Sequence, residues 1–238
     1  MGVRAEELRR LAEPFDPDQL EWRVGRTGTG GRGPWVHVLA YQTSRAVMDR
    51  FDEVCGPENW VNEFRAGPGG GVICRIAVNI EGAGWVSKED GAENTDIEAV
   101  KGGLSGAMKR AAVQWGCGRY LYGLEETFGI VHEFGLHSAG KGAEKFRWNP
   151  PALPDWAIPA AELRQSELLA FIKGHYRRTE ARVRIGDAWT KLADFVGTHA
   201  ELLRKDYYLA RTVAKALSSE TGVPLDRSSL DPAVMRAA

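Results

Sequence analysis

Residues 95–122 read TDIEAVKGGLSGAMKRAAVQWGCGRYLY. At about 100° per residue, Ile97, Val100, Leu104, Met108, Ala111 and Trp115 recur at spacings of three and four and line up as one apolar stripe. Such a stripe is the core face of an amphipathic helix. The spacing predicts a helix from about Thr95 to Trp115, opened by a capping box of Thr95 with Glu98 and broken by Gly116-Cys117-Gly118. Lys109 and Arg110 straddle the direction opposite the stripe, and Lys101 and Ser105 lie on the flank nearest Lys109. Gly102, Gly103 and Gly106 thin the first half of the helix, at roughly 1 kcal/mol each relative to alanine. A helix that accepts this has something close against it, either a neighbouring backbone or a ligand strand. Taken alone, the Lys109–Arg110 face has two readings: an ordinary solvated face or a set of phosphate contacts.

Working back from this helix, residues 84–88, 72–80 and 60–65 read as a three-stranded antiparallel meander, turned at Gly67–Gly71 and Glu81–Gly84. Asp90–Asn94 reads as a loop. Ser44 is the expected N-cap of a helix through Cys55, with Val47, Phe51 and Val54 on one face and Gly56-Pro57 as the stop. Two strand-like runs precede it, Leu20–Val24 and Pro34–Gln42, on either side of RTGTGGRG. In the second run Trp35, His37, Leu39 and Tyr41 alternate with Val36, Val38 and Ala40. Both sets are largely apolar, which predicts a strand covered on both faces with Trp35 and Tyr41 in the core. Residues 4–13, RAEELRRLAE, read as a short amphipathic helix with Leu8 and Leu11 inward, ending before Pro14.

Working forward, SAGKGAEK and NPPALPDWAIP make residues 137–160 the expected linker. Residues 161–220 read as helical throughout, with Leu163, Leu168 and Phe171 and later Leu192, Phe195 and Val196 at helical spacing. From Gly222 a frayed tail is expected. The expected fold class is therefore α+β: antiparallel sheet and hairpins packed on a long helix over residues 1–136, the linker, and a small helical C-terminal region over 161–238.

The 238 residues carry 31 Lys and Arg against 32 Asp and Glu, a net charge of −1. Residues 1–157 hold 18 basic against 22 acidic side chains, net −4; residues 158–238 hold 13 against 10, net +3. A nucleic-acid site in the first part must be a focused patch in an acidic body, since phosphate binding needs local potential rather than high overall pI. Cys55, Cys74 and Cys117 are odd in number and far apart, with no CxxC. That pattern speaks for buried thiols in a reducing cytoplasm, not for a disulfide scaffold or zinc site. No apolar run approaches the roughly 18 residues that span a bilayer. MGVRAEELRRLAEPF has no signal-peptide h-region, and Glu6 occupies the place of a myristoylation Ser or Thr. The expected location is cytoplasmic and nucleoid-associated, with no membrane partner.

Two patterns invite enzymatic readings. Gly28-Thr-Gly-Gly-Arg-Gly33 spells GxGxxG with Glu53 twenty residues beyond the last glycines. A dinucleotide fold needs a helix to start at that loop, and the Pro34-Trp-Val-His-Val-Leu that follows is strand-like, so a hairpin connection is the better account. Its Arg26 and Arg32 remain placed to touch phosphate. Glu89, Asp90 and Glu93 form an acidic cluster that would suit a metal-dependent nuclease only if carboxylates converged from several strand ends. A solvated turn accounts for them. None of the five histidines has metal-ligand spacing. No metal, no cofactor and no catalytic residue is expected.

Resemblance adds to this reading. The run Ala99-x-Lys101-x(3)-Ser105-x-Ala107-Met108-Lys109-Arg110-Ala111-x(3)-Trp115-Gly116 is similar to the signature helix of the Rad-fifty-two single-strand annealing family. Gly118-Arg119-Tyr120-Leu121-Tyr122 resembles its bacterial and phage branch, the DNA damage response protein A-like one. The resemblance covers roughly residues 5–130. It implies a groove between helix and hairpin sheet, a ring of subunits, and single-stranded DNA held by its backbone while complementary strands are annealed without ATP. It implies DNA contacts at Lys109 and Arg110, at Arg23 with Arg26 as its near rival, at Lys101, and at Arg119. Eukaryotic members carry a further basic residue one turn after the pair, where this chain has Val113. The implied partners are single-stranded DNA, further copies of the chain, and a recombinase or single-strand-binding protein. Trp35, Tyr41, Tyr120 and Tyr122 are the aromatic candidates for base stacking. Binding or protecting single strands without annealing uses the same groove and stays open as an alternative, as does the nuclease.

Overall fold

The computed structural model describes residues 2–94, 99–185 and 188–230. Backbone contacts divide the chain into one unit of Met1–Glu21 with Ala40–Glu125 and another of Trp22–Leu39 with Glu126–Ala238. Two strands, β1 (Leu20–Gly30) and β2 (Gly33–Gln42), carry the chain from one unit to the other and back.

In the first unit, residues 7–12 form 3₁₀ turns rather than an α-helix, with Leu11 sealed in the core. So few residues before Pro14 give too little propagation to repay α-helix nucleation. Helix α1 (Ser44–Cys55) is capped by Thr43, whose side chain accepts from the Ala46 N–H, and not by Ser44. The Ser44 hydroxyl instead meets that of Ser105 at 2.7 Å. Val47, Phe51 and Val54 face inward as expected, and α1 ends at Gly56 with φ +78°.

Strands β3 (Trp60–Ala66), β4 (Val72–Ile80) and β5 (Gly84–Ala92) form the antiparallel meander. Its last strand is longer than expected. Glu89 and Asp90 are not a turn; pairing with β4 runs on to Val72 opposite Ala92. Alternation sends Asp90 to one face and Glu89 to the other, and each finds an arginine: Arg110 for Asp90, Arg65 for Glu89 at 2.8 Å. The two carboxylates therefore do not converge, and among the described residues no three His, Cys, Asp or Glu side chains gather as for a metal ion. Cys74, Ile76 and Val78 on the Asp90 face are fully buried beneath helix α2 (Ala99–Gln114).

In the second unit, β1, β2 and β6 (Thr127–Phe128) form one sheet in the order β1-β2-β6. The GxGxxG run lies in this hairpin as strand and turn. Gly28 is needed there because a Cβ would come within 2.6 Å of the Trp35 ring, and β1 runs past the expected Val24 to Gly30. Strands β7 (Ile130–Val131), β8 (His137–Ala139) and β9 (Phe146–Asn149) form a second sheet, with β9 central. Val36 and Val38 pack with Trp148 at the core, joined by Trp22, Val131, Ala139 and Phe146. Residues 137–160 are thus built into the second unit and not a linker. Glycine and proline punctuate turns here, while Trp148, Leu153, Ala157 and Ile158 are all buried.

The C-terminal region holds α3 (Gln165–His175), a hairpin of β10 (Arg182–Ile185) and β11 (Ala188–Lys191), then α4 (Leu192–Thr198), α5 (Ala200–Lys205) and α6 (Tyr207–Thr221). The hairpin replaces expected helix: Arg-Val-Arg-Ile and Ala-Trp-Thr-Lys alternate with period two, and β-branched and aromatic residues favour the pleated ribbon. Asp206 caps α6, accepting the Leu209 N–H at 2.9 Å, and is itself sealed from solvent. It also accepts from Asn149 Nδ2 and meets His132 Nε2, both at 2.7 Å. Because His132 Nδ1 accepts the Phe134 N–H, the proton sits on Nε2 and is donated to Asp206. Residues 222–230 are anchored where fraying is expected: Arg227 grips both Glu167 oxygens, at 2.7 and 3.0 Å.

Candidate nucleic-acid interface

The glycines of α2 set the geometry of its charged face. A Cβ on Gly106 would come within 2.9 Å of the Ala92 Cβ, and one on Gly103 would press into Val72 and Asn94. The thin side of the helix is therefore filled by side chains at the ends of β4 and β5 and by Asn94, where the glycines called for a close backbone or a ligand strand. Met108 and Ala111 of the expected stripe are buried, with Ala107 and Ala112 beside them. Val100, by contrast, is 70% exposed, because the first turn runs past the end of the sheet. Ile97 and the capping box of Thr95 with Glu98 lie outside the described residues.

With the core side fixed, Lys109 and Arg110 leave the helix about 100° apart. Lys109 is half-buried, with its ammonium 6.0 Å from the centre of the Tyr41 ring. Its own carbonyl accepts from the side chain of the buried Gln42 at 3.1 Å. Arg110 leans the other way, its Nε 3.1 Å from Asp90 Oδ1. Asp90 also accepts from its neighbour Gly91 N–H at 2.7 Å and from Gln114 at 3.3 Å. Burial raises the Asp90 pKa, but these three hydrogen bonds and the Arg110 charge outweigh it, so the carboxyl titrates below its ordinary value. The guanidinium is oriented by a carboxylate yet stays half-exposed. Lys101 is exposed on the same helix, two turns before Lys109. Ser105, between them, is taken up by Ser44.

Arg119, also exposed, caps the end of α2. Its guanidinium donates to the Val113 carbonyl at 3.0 and 2.8 Å and to that of Gln114 at 3.0 Å. Lys88 adds a bond to Gln114 O at 2.8 Å. Two cations thus satisfy the orphan carbonyls that end α2, where the helix dipole favours positive charge. Tyr120 is likewise structural. Its hydroxyl accepts the Phe15 N–H at 3.1 Å, and burial pushes its pKa up to about 12. Tyr122 is 71% exposed. The three thiols are buried, which raises Cys55 and Cys74 to about 11 and Cys117 to about 12; they are protonated and inert.

Arg23 and Arg26 belong to the second unit, and both are exposed on β1. Arg26 and Arg32, with Trp35, His37 and Phe128, line an open cleft of about 530 Å³ in the β1–β2 hairpin. Arg23 is not among the lining residues. Glu126 lies at the cleft, 3.8 Å from Arg26 and 3.4 Å from His37 Nδ1. The second face of β2 is not sealed as expected. His37 meets Phe128 edge-on at 4.1 Å and Trp35 meets it at 6.1 Å, but Phe128 is largely exposed and Trp35 only half-buried. In the first unit Tyr41 is also partly exposed. Sequence reasoning put Trp35 and Tyr41 in the core because it counted apolar residues on both faces. Only the valine face is covered. His37 and Phe128 are cleft residues that the sequence reading did not single out; the two-residue β6 that brings Phe128 opposite His37 leaves no periodic signal.

Residues 4–134 match the family model of the Rad52/22 family double-strand break repair proteins. Two curated relatives are each called single-stranded DNA-binding protein DdrA. The one from Deinococcus deserti is 34% identical over 157 residues, 65% of this chain and 71% of that one. The one from Deinococcus radiodurans is 32% identical over 157 residues, 65% of this chain and 68% of that one. No solved structure matches significantly. The chain belongs to the Rad52/22 family.

Proposed function

We propose that this member of the Rad52/22 family binds single-stranded DNA and anneals complementary strands in recombination and double-strand break repair, without ATP and without making or breaking covalent bonds. One observation carries the reading. On α2 the core face is locked to the sheet, while Lys109 and Arg110 lie on the opposite side, Lys109 near Tyr41 and Arg110 against Asp90. Cations held this way follow a phosphate backbone and leave the bases readable, which annealing requires. Lys101 extends the row. Arg119 acts by shaping the end of α2. In the second unit, Arg23 and Arg26 are proposed as further contacts, with Trp35 and Phe128 offering ring faces to bases in the Arg26 cleft. The assembly is proposed to be a ring of identical subunits, open to a recombinase or single-strand-binding protein. The working location is the nucleoid.

The test is Lys109→Ala with Arg110→Ala, read by anisotropy of a labelled oligonucleotide. Single-strand affinity falls at least about tenfold, and the slope of log K against log salt flattens by about 1.4, two phosphates at roughly 0.7 each. Unchanged affinity sinks the site. The names of the relatives speak of binding and not of annealing, which favours a second reading, protection of single strands or ends. Complementary oligonucleotides that are bound but not paired faster than in buffer would establish that reading instead. Particle images of the purified protein test the ring.

A further inference from the structure

The β10–β11 hairpin lies outside the 4–134 match, in the part of the chain with net charge +3. Its register places Arg182 opposite Lys191 and Arg184 opposite Trp189. Directly opposed residues share a face of the ribbon, and every second residue along a strand returns to it. Arg182, Arg184, Trp189 and Lys191 therefore occupy one face, and all four are exposed, Trp189 by 67%. Lys191 is paired with Glu180 at 3.0 Å. Among the described residues neither Arg182 nor Arg184 has a carboxylate within ion-pair distance. The backbone of the hairpin is tied at its base by the Leu192 N–H donating to Ala181 O at 2.9 Å, so the face is presented by paired strands.

We propose that this hairpin face is a second contact for single-stranded nucleic acid, in which Trp189 stacks on a base while Arg182 and Arg184 hold neighbouring phosphates. Two residues along a strand are about 6.6 Å apart, so the two guanidinium groups can meet successive phosphates of an extended strand. A ring face flanked by cations suits any base, giving sequence-tolerant stacking. The same face is poorly built for a membrane. One indole set among three cations offers too little apolar surface on this face to enter the acyl region, which an interfacial element needs. The proposal shares the ligand class of the previous reading but none of its residues.

The experiment uses the full chain in the Lys109→Ala, Arg110→Ala background and a labelled oligothymidylate. Adding Arg182→Gln with Arg184→Gln is expected to lower the residual affinity about tenfold and to flatten the salt slope by a further 1.4 or so. Trp189→Ala is expected to cost about fivefold or more with the slope unchanged, since stacking releases no counterions. Trp189→Phe, which keeps a ring, should retain most of the affinity but lose the part of the tryptophan quenching that oligonucleotide causes in the parent. Circular dichroism checks that each variant keeps its fold. Equal affinity, slope and quenching in the hairpin variants overturns the proposal. So does loss of binding to phosphatidylglycerol vesicles with oligonucleotide binding intact. If the α2 background itself binds like wild type, the earlier reading fails while the hairpin arms still report.

Discussion

Helices α2 and α6 each carry an arginine paired with a carboxylate on another element at the same distance, 3.1 Å, yet the two pairs do opposite things. The two carboxylates are similarly exposed, Asp90 at 23% and Glu162 at 27%, and the difference lies in the arginines: Arg110 is 53% exposed and Arg211 5%. A pair whose arginine is solvated contributes little, because water already solvates the guanidinium and holding a long side chain in place costs entropy. It can exchange its partner for a phosphate at small expense. A buried pair cannot, since separating it strands a charge in a poorly solvated place. The α2 arginine is thus free to meet a ligand as proposed, while the α6 arginine is committed to the fold.

The largest test is at the α6 cap. Asp206→Ala removes the acceptor of the Leu209 N–H and leaves Asn149 and His132 unsatisfied in a buried site. The expected loss is about 3–5 kcal/mol of unfolding free energy, combining a helix cap with broken charge-assisted hydrogen bonds. Denaturant melting followed by tryptophan fluorescence measures it. A loss under about 1 kcal/mol would break the comparison at its buried end. Next comes Arg211→Met, which fills the volume but removes the guanidinium 3.1 Å from Glu162. Glu162 is partly solvated, so about 2 kcal/mol is expected, by the same measurement.

On α2 the order of effects reverses. Lys109→Ala with Arg110→Ala should change unfolding free energy by no more than about 0.5 kcal/mol, the usual range for surface substitutions, while single-strand affinity falls at least about tenfold. If stability fell as far as in Asp206→Ala, the two cations would be structural and the contrast between the helices would disappear.

How much of this was legible in the sequence follows from which interactions have a period. The α2 stripe and the meander were legible because burial recurs every three or four residues, or every two. Lys109 and Arg110 could be placed opposite the core for the same reason. The bonds of Arg119 to the last carbonyls of α2 were not legible, because those partners are backbone groups that leave no mark in side-chain pattern. The supposed linker failed on a different count: Pro and Gly report where the chain turns, and Trp148, Leu153 and Ile158 between them report that it stays buried. The hairpin at 182–191 was hidden inside a helical reading because four-residue strands are shorter than the window that establishes a period. Which acid meets which base, Asp90 with Arg110 and Glu89 with Arg65, depends on register, and register is a tertiary fact.

The smallest expected effect is the most discriminating about Arg110. Asp90→Asn keeps an oxygen for the Gly91 N–H and removes the charge opposite Arg110. Because the Asp90 pKa is lowered in the folded protein, its stabilising contribution is complete above the ordinary carboxylate value, near pH 4. That contribution is lost as pH falls through the lowered value. Wild type and Asp90→Asn should therefore differ at neutral pH by well under 1 kcal/mol, and their stabilities should converge only on the acid side of about pH 4. Binding should move the other way. With Asp90 neutral, the local potential around Arg110 rises, and single-strand affinity should increase about two- to threefold at low salt. That gain should fade above about 0.1 M salt, where the Debye length has shrunk to roughly 10 Å. Isothermal titrations at two salt concentrations measure it. A fall in affinity would mean that Asp90 aims Arg110 more than it competes for it, and the exposed pair on α2 would then be a positioning device, closer in kind to the buried pair at α6 than its solvation suggests.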